Sequence, residues 1–303
     1  MRSCSLPPAR PEDATTRSPL CSTRSCACLY ARGSQKTSSG ATALPPHLDG
    51  LPRNVRDIWH YGCTEMLNNA IEHSAGSQLA IRINRTARDT EIMLADDGVG
   101  IFGKIQRELA LDDPREAILE LAKGKLTTDP EHHTGEGIYF ASRMFDEFSI
   151  ISGGLYFTHQ HAATEDWLLQ ASAQGRGTAV YMRIANDSPR KMAAVFEQFA
   201  SPEEDYAFRK TVVPVRLAQI GEQNLVSRSQ AKRLVARFEQ FKTVVLDFSA
   251  VESIGQAFAD EVFRVFQRAH PGVELVVANA NAAVTMMVRR ARSHRPGGGR
   301  RVT

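Results

Sequence analysis

The chain has 303 residues, 42% hydrophobic and 23% charged, enough for one large domain or two small ones, each with its own core. No apolar run approaches the roughly 20 residues that span a bilayer, and the N-terminus lacks the unbroken apolar core of a secretory signal, so neither a membrane nor a secreted protein is expected. The formal charge of +3 divides into +4 over residues 1–48, +6 over 289–303 and −7 over the body between them, which argues against the body as a nucleic-acid binder.

Residues 1–47 are rich in Ser, Thr, Pro, Arg and Cys and poor in Ile, Val and Phe. Such a segment buries too little apolar surface to offset its ordering entropy and reads as a disordered leader. Cys4, Cys21, Cys26 and Cys28 lie in it, but C-x4-C-x-C is not the paired spacing of a zinc site. Cys63 stands alone in an apolar context and reads as a small buried hydrophobe. A body with one unpaired thiol fits a reducing, cytoplasmic compartment.

Helical periodicity of Val55, Ile58, Trp59, Met66, Leu67, Ala70 and Ile71 predicts a helix over 54–74. Short strands at 79–84 and 91–95 flank a polar turn and read as a hairpin. Residues 103–134 read as a long polar loop with one short helix at 114–122. A helix at 137–146 and strands at 148–157, 166–172 and 178–184 complete a first domain over 48–190. Pro189, Pro202 and the acidic run Glu203–Asp205 mark 191–205 as a linker. Over 206–290, strands at 211–217, 243–248 and 273–278 alternate with helices at 227–241, 256–269 and 280–290, the pattern of a smaller α/β unit. Residues 291–303 read as a disordered tail.

Three polar clusters mark the first domain. Glu65, Asn69, Glu72 and His73 fall at i, i+4, i+7 and i+8 and share one helical face; an ordinary solvated face has the same pattern. Asp96-Asp97-Gly98-Val99-Gly100 follows a strand, where glycines permit positive φ or close approach of a ligand; a plain D-G turn reads the same way. His133-Thr134-Gly135-Glu136-Gly137-Ile138 opens a helix and offers backbone N–H groups to an anion, or is a flexible loop with a glycine cap. Each signal alone is weak.

Their order is more specific. E-x-x-x-N on a helix, D-x-G-x-G after a strand, a long polar loop, G-x-G-I into a helix and G-x-G-T into a strand together resemble the GHKL ATPase family. That family includes histidine-kinase catalytic domains, anti-sigma-factor serine kinases, gyrase B, Hsp90 and MutL. The resemblance covers about residues 50–187 and implies an α+β sandwich that binds ATP with Mg²⁺. It implies Asn69 as the Mg²⁺ ligand and Glu65 as the general base. Asp96 would hold the adenine amino group, assisted through water by Thr178, with Gly98 and Gly100 beneath the base. Gly135 and Gly137 would supply N–H groups to the phosphates, and residues 103–134 would form a lid. Lys123 and Lys125 in that lid either reach a phosphate or are solvated. His60 and His73 are poor phosphoacceptors, because no helical dimerisation hairpin accompanies them.

The second unit resembles a STAS-like domain, the group that contains anti-sigma-factor antagonists. The match lies in Asp247-Phe-Ser249-Ala-Val251, a D-x-S-x-V strand end. In antagonists a D-S-S-G run follows and its second serine is phosphorylated. Here the run reads Gly255-Gln256-Ala257-Phe258, and Ala257 has no hydroxyl to phosphorylate. The whole arrangement is similar to bacterial ATP-binding proteins that carry a STAS-like domain of unknown function. The expected function is therefore Mg-ATP binding or turnover that controls the STAS-like domain or a protein partner. A protein Ser/His kinase of the anti-sigma type and a non-catalytic nucleotide sensor or transcriptional accessory are the alternatives. Glu65 permits hydrolysis or transfer and proves neither.

Overall fold

The computed structural model describes residues 25–32, 48–126, 135–161, 167–170, 175–200, 207–219 and 224–293. The architecture is mixed α/β, with two sheets. Helix α1 (Arg53–His73) starts behind Pro52 and buries Val55, Ile58, Trp59, Cys63, Met66 and Leu67, the periodic face read from the sequence. Gly62 is needed on that face, because a Cβ there would overlap the Phe145 ring.

The large sheet is antiparallel throughout. Its strands are β1 (Ser25–Arg32), β2 (Gln78–Arg85), β3 (Asp89–Asp96), β4 (Glu147–Ser152), β5 (Leu155–Gln160), β6 (Trp167–Gln170) and β7 (Thr178–Ala185), in the order β1-β2-β3-β7-β4-β5-β6. Leu79, Ile81 and Ile83 on β2 and Thr90, Ile92 and Leu94 on β3 point to the buried face, as period-two alternation requires. On the opposite face Arg183 pairs with Glu147 at 3.3 Å and Asp89 at 3.9 Å. Helix α1 packs over β3 and β7, a helix layer on a sheet layer.

Several expectations change here. Ser25–Arg32 is a strand paired along the whole of β2, so the leader is not unstructured over those eight residues; the open edge of β2 supplies their backbone partners. The rest of the leader, Cys4 and Cys21 included, lies outside the described residues. The single strand expected over 148–157 is the hairpin β4–β5, because Gly153 and Gly154 both take positive φ (57° and 78°), the requirement of a two-residue primed turn. The polar stretch after β3 contains an unforeseen helix, α2 (Ile101–Glu108), which buries Phe102 and Ile105. Next come α3 (Glu116–Lys123) and α4 (Gly137–Met144).

The expected linker 191–205 contains α5 (Met192–Phe199), with Val195 and Phe199 buried. Tyr139 and Phe140 of α4, Phe196 and Phe199 of α5 and Phe208 form an aromatic cluster with ring centroids 4.5–6.4 Å apart. Aromatic burial of this kind fixes the segment as part of the core rather than a tether.

The second sheet is parallel, in the order β10-β9-β8, from β8 (Lys210–Pro214), β9 (Thr243–Asp247) and β10 (Glu274–Ala278). Helix α6 (Arg228–Val235) opens with a capping box of Ser227 and Gln230. The expected helix 227–241 breaks at Arg237, which is left-handed at φ 68°. The helical run 256–269, here α7, is α over Gln256–Asp260, π-wound over Glu261–Phe266 and α again over Gln267–Ala269. Helix α8 (Ala282–Ser293) buries Ala291, so order extends past the expected start of the tail at 291. Beyond Ser293 the tail lies outside the described residues.

The two units share one continuous buried cluster. Thr211 of β8 donates to the Lys123 carbonyl at 2.7 Å, and the amide of Val212 donates to the Tyr139 hydroxyl at 3.0 Å.

Candidate functional site

A cavity of about 340 Å³ lies between α1, α2, α4 and the buried face of the large sheet. Its apolar surface comes from Met66, Leu79, Leu94, Ile138, Ile150 and Val180. Seven of the eight predicted site residues line it: Glu65, Asn69, Asp96, Gly100, Gly135, Gly137 and Thr178. Glu72 and His73 line it too, so the whole polar face read from α1 converges there.

Gly98 does not. It is buried, and a Cβ would overlap the Ser74 carbonyl. That carbonyl accepts from the Val99 amide at 2.8 Å, so Gly98 is reserved for packing against the turn after α1. Asp97 holds the same turn: its carboxylate accepts from the amides of Ser77 and Gln78 at 2.7 and 2.9 Å and from the Ser77 hydroxyl at 2.8 Å. These bonds hold its carboxyl below the ordinary aspartate range.

Asp96 ends β3 and faces the cavity. Its Oδ1 accepts from the amides of Gly98 at 2.9 Å and Thr178 at 3.3 Å. Burial pushes its carboxyl above the usual range, against those two bonds. Thr178 links three elements: its hydroxyl accepts from the Ile101 amide at 3.0 Å and so caps α2. Gly100 precedes α2 at φ 81°. A side chain there would be strained and would meet the Ser152 hydroxyl, which donates to the Gly177 carbonyl at 2.8 Å.

Glu65 and Asn69 stand one turn apart on α1, both half-buried. The Glu65 carboxylate lies directly against Gly137, where a Cβ would overlap it. The Gly135 carbonyl accepts from the Leu126 amide at 3.1 Å. His133 and Thr134, named with this motif, lie outside the described residues.

Neither lid lysine lines the cavity: Lys123 is buried, against both expectations, and Lys125 is half-exposed. Lys123 is fully buried and donates to Glu120 Oε1 at 2.6 Å and to the carbonyls of Arg233 and Ala236 at 2.8 and 3.0 Å. Burial holds its ammonium below the ordinary lysine value, and Glu120 opposes the shift. Arg237 completes the network with bonds to Glu120 Oε2 at 2.8 Å and to the Gly124 carbonyl at 2.9 Å; Arg233 pairs with Glu116 at 2.7 Å. Lys125 donates to the Gln240 carbonyl at 3.0 Å and lies over the Phe241 ring.

The cation that does line the cavity is Lys104, on the unforeseen helix α2. It donates to the His73 carbonyl at 3.3 Å and lies 3.7 Å from Glu108. The amphipathic run Phe102–Glu108, with Lys104 and Glu108 spaced i, i+4, was the available signal.

Cys63 is buried and its thiol is pushed up to about 12 by burial alone, so it is an inert core residue. Among the described residues no helix is long and apolar enough to cross a membrane, and no cluster of three His, Cys, Asp or Glu side chains could hold a metal.

Residues 230–285 match the family model of a STAS-like domain of unknown function (DUF4325). The match runs from α6 through β9, α7 and β10 into α8. In this unit Ala257 occupies the first turn of α7 behind Gly255. No curated protein matches the chain.

Proposed function

We propose that residues 48–190 form a GHKL-type ATP-binding domain and that its nucleotide state controls the STAS-like unit or a protein partner bound there. The observation that carries this reading is the convergence of Glu65, Asn69, Asp96, Gly100, Gly135, Gly137 and Thr178, from separate stretches of sequence, on one cavity.

The chemistry of the donor set fits Mg-ATP. Asp96 is a half-buried carboxylate at the end of an apolar floor, suited to accept an exocyclic amine. Asn69 offers a hard amide oxygen to Mg²⁺, which keeps several waters and needs few protein ligands. When bound, Mg-ATP would supply an electrophilic terminal phosphorus, with the negative charge of its phosphate oxygens offset by the metal. Glu65, one turn before Asn69, holds the position of a base for the proton of an attacking water or hydroxyl. The start of α4 at Gly137 offers backbone N–H groups to phosphate oxygens. Lys104 adds a cation on the facing helix.

Coupling to the STAS-like unit rests on the buried lysine. Leu121 and Leu126 line the cavity, while Lys123, between them in sequence, is bonded to Arg233 and Ala236 of the second unit. A movement of this segment over the nucleotide would break or reset bonds to the other unit, which gives the two-state element that regulation needs.

Calorimetry on the full chain with Mg-ATP tests the binding step; no heat at millimolar nucleotide would remove the reading. Incubation with γ-labelled ATP, alone and with a cell lysate, then separates the variants of it. Label released to water marks an ATPase, label on a protein marks a kinase, and retained label with tight binding marks a sensor.

A further inference from the structure

A second and larger cavity, of about 590 Å³, opens in the cleft between the two units. It shares no lining residue with the first cavity. Arg143 at the far end of α4, Arg190 and Lys191 before α5, and Arg216 just after β8 all line it.

Arg143 bonds only neutral groups there, the Tyr139 carbonyl at 3.0 Å, the Ser142 hydroxyl at 3.1 Å and the Val212 carbonyl at 3.4 Å, with its guanidinium over the Tyr139 ring. Arg190 is balanced by Asp146 at 2.9 Å. Lys191 is exposed. Among the described lining residues of this stretch, Arg143 and Lys191 therefore add positive charge beyond the Arg190–Asp146 pair. His161 lines the cleft as well; burial, then Arg190 and His159, hold it below the ordinary imidazole value, with Asp146 opposing.

A polar cluster at the strand ends also lines the cleft. Asp247 is the last residue of β9, and its Oδ1 accepts from the Ser249 amide at 3.0 Å, the Ser249 hydroxyl at 2.8 Å and the Asn279 amide nitrogen at 2.9 Å. Asn279 follows β10 in the left-handed region, φ 53°, which turns the chain at the strand end. The cleft thus lies outside the carboxyl ends of the parallel strands, the side on which open α/β sheets take their ligands. A cationic wall selects an anion. A carboxylate, a hydroxyl and an amide in the same cleft select hydroxyl groups. The volume falls in the range of small-molecule sites, roughly 300–1,000 Å³.

We propose that this cleft binds a small phosphorylated polyol, with its phosphate toward Arg143 and Lys191 and its hydroxyls toward Asp247, Ser249 and Asn279. The site would report a metabolite at the junction of the two units, and it does not depend on nucleotide binding.

The test is calorimetry of the full chain against glucose 6-phosphate, inorganic phosphate and glucose. Glucose 6-phosphate is expected to bind, inorganic phosphate more weakly, and glucose not at all. The variant Lys191→Gln is expected to weaken glucose 6-phosphate about tenfold through loss of a charge-assisted bond. Ser249→Ala is expected to weaken glucose 6-phosphate and leave inorganic phosphate unchanged. Asp96→Asn, in the other cavity, is expected to change neither. Circular dichroism confirms that each variant is folded. No binding of glucose 6-phosphate at 10 mM, on the order of weak-ligand limits, would overturn the proposal. Inorganic phosphate binding as tightly as the ester would overturn the polyol assignment, and loss of binding in Asp96→Asn would place the ligand in the wrong cavity.

Discussion

The carboxylate of Glu65 and the Cα of Gly137 are in direct contact, and no side chain fits between them. The residue proposed as base and the residue proposed to open the phosphate-binding helix thus constrain one another. Gly137→Ala should push the Glu65 carboxylate aside. Alanine is the better helix former, by about 1 kcal/mol, so thermal stability should hold while ATP turnover falls. Melting curves and a hydrolysis assay on the same preparation check this. Unchanged turnover would separate Glu65 from the chemistry.

Asp96→Asn keeps the shape and removes the charge that accepts an amine. A hydrogen bond to a charged group contributes about 1.5–3 kcal/mol, so Mg-ATP affinity should fall roughly tenfold or more. Glu65→Ala, by contrast, should bind Mg-ATP and fail to turn it over. Calorimetry and single-turnover assays distinguish the two effects.

Lys123→Ala removes the cation from a fully buried pair and strips two carbonyls of their donor. Breaking a buried pair from one side costs about 3 kcal/mol or more. Arg237 still pairs with Glu120, so Lys123→Met, which keeps the apolar stem, should lose less. Chemical denaturation measures both. In Lys123→Met, hydrogen exchange in α6 should no longer respond to Mg-ATP if this bond carries the coupling.

Asp97 gives a pH signature. Its carboxyl titrates below the ordinary aspartate value because Gln78 and Ser77 donate to the ionised form. The unfolded chain therefore binds more protons in the acid range, and stability falls as the pH drops through and below that of a normal aspartate. Asp97→Asn should flatten this part of the stability profile without changing its neutral-to-alkaline part. Denaturation midpoints from pH 3 to 7, spanning roughly the carboxylate range, provide the check.

Ala257 carries no hydroxyl at the first turn of α7. Phosphopeptide mapping after incubation with Mg-ATP should find no phosphate between residues 249 and 258. Phosphate on Ser253 would instead establish a partner-switch mechanism in this unit.

Much of the candidate site was legible because its signals are local. The one-turn spacing of Glu65 and Asn69, the glycines at 100, 135 and 137 and the strand-end Asp96 are properties of a few neighbouring residues, and backbone geometry ties them to one face or one turn. Gly98 shows the limit: its glycine is required, but by the Ser74 carbonyl rather than by the cavity. The Gly153-Gly154 turn was readable in the same local way and divides what looked like one strand.

The sequence by itself determined the periodic helix α1, the strand–helix alternation after residue 206 and a polar motif set with fixed spacing. Only the tertiary structure decided which face of each segment was buried and which cations met which anions. Lys123 lies 110 residues from its Arg233 partner, so its neighbours in sequence describe a polar loop while its neighbours in space make it a core residue. Arg237 leaves the helical conformation to reach Glu120, and α5 becomes ordered through its aromatic contacts with α4 and Phe208. Propensity within a segment amounts to tenths of a kcal/mol per residue, about 0 to 0.7 for ordinary side chains in a helix. Burial of a single aromatic side chain outweighs it, and the partners that decide such burial come from distant parts of the chain.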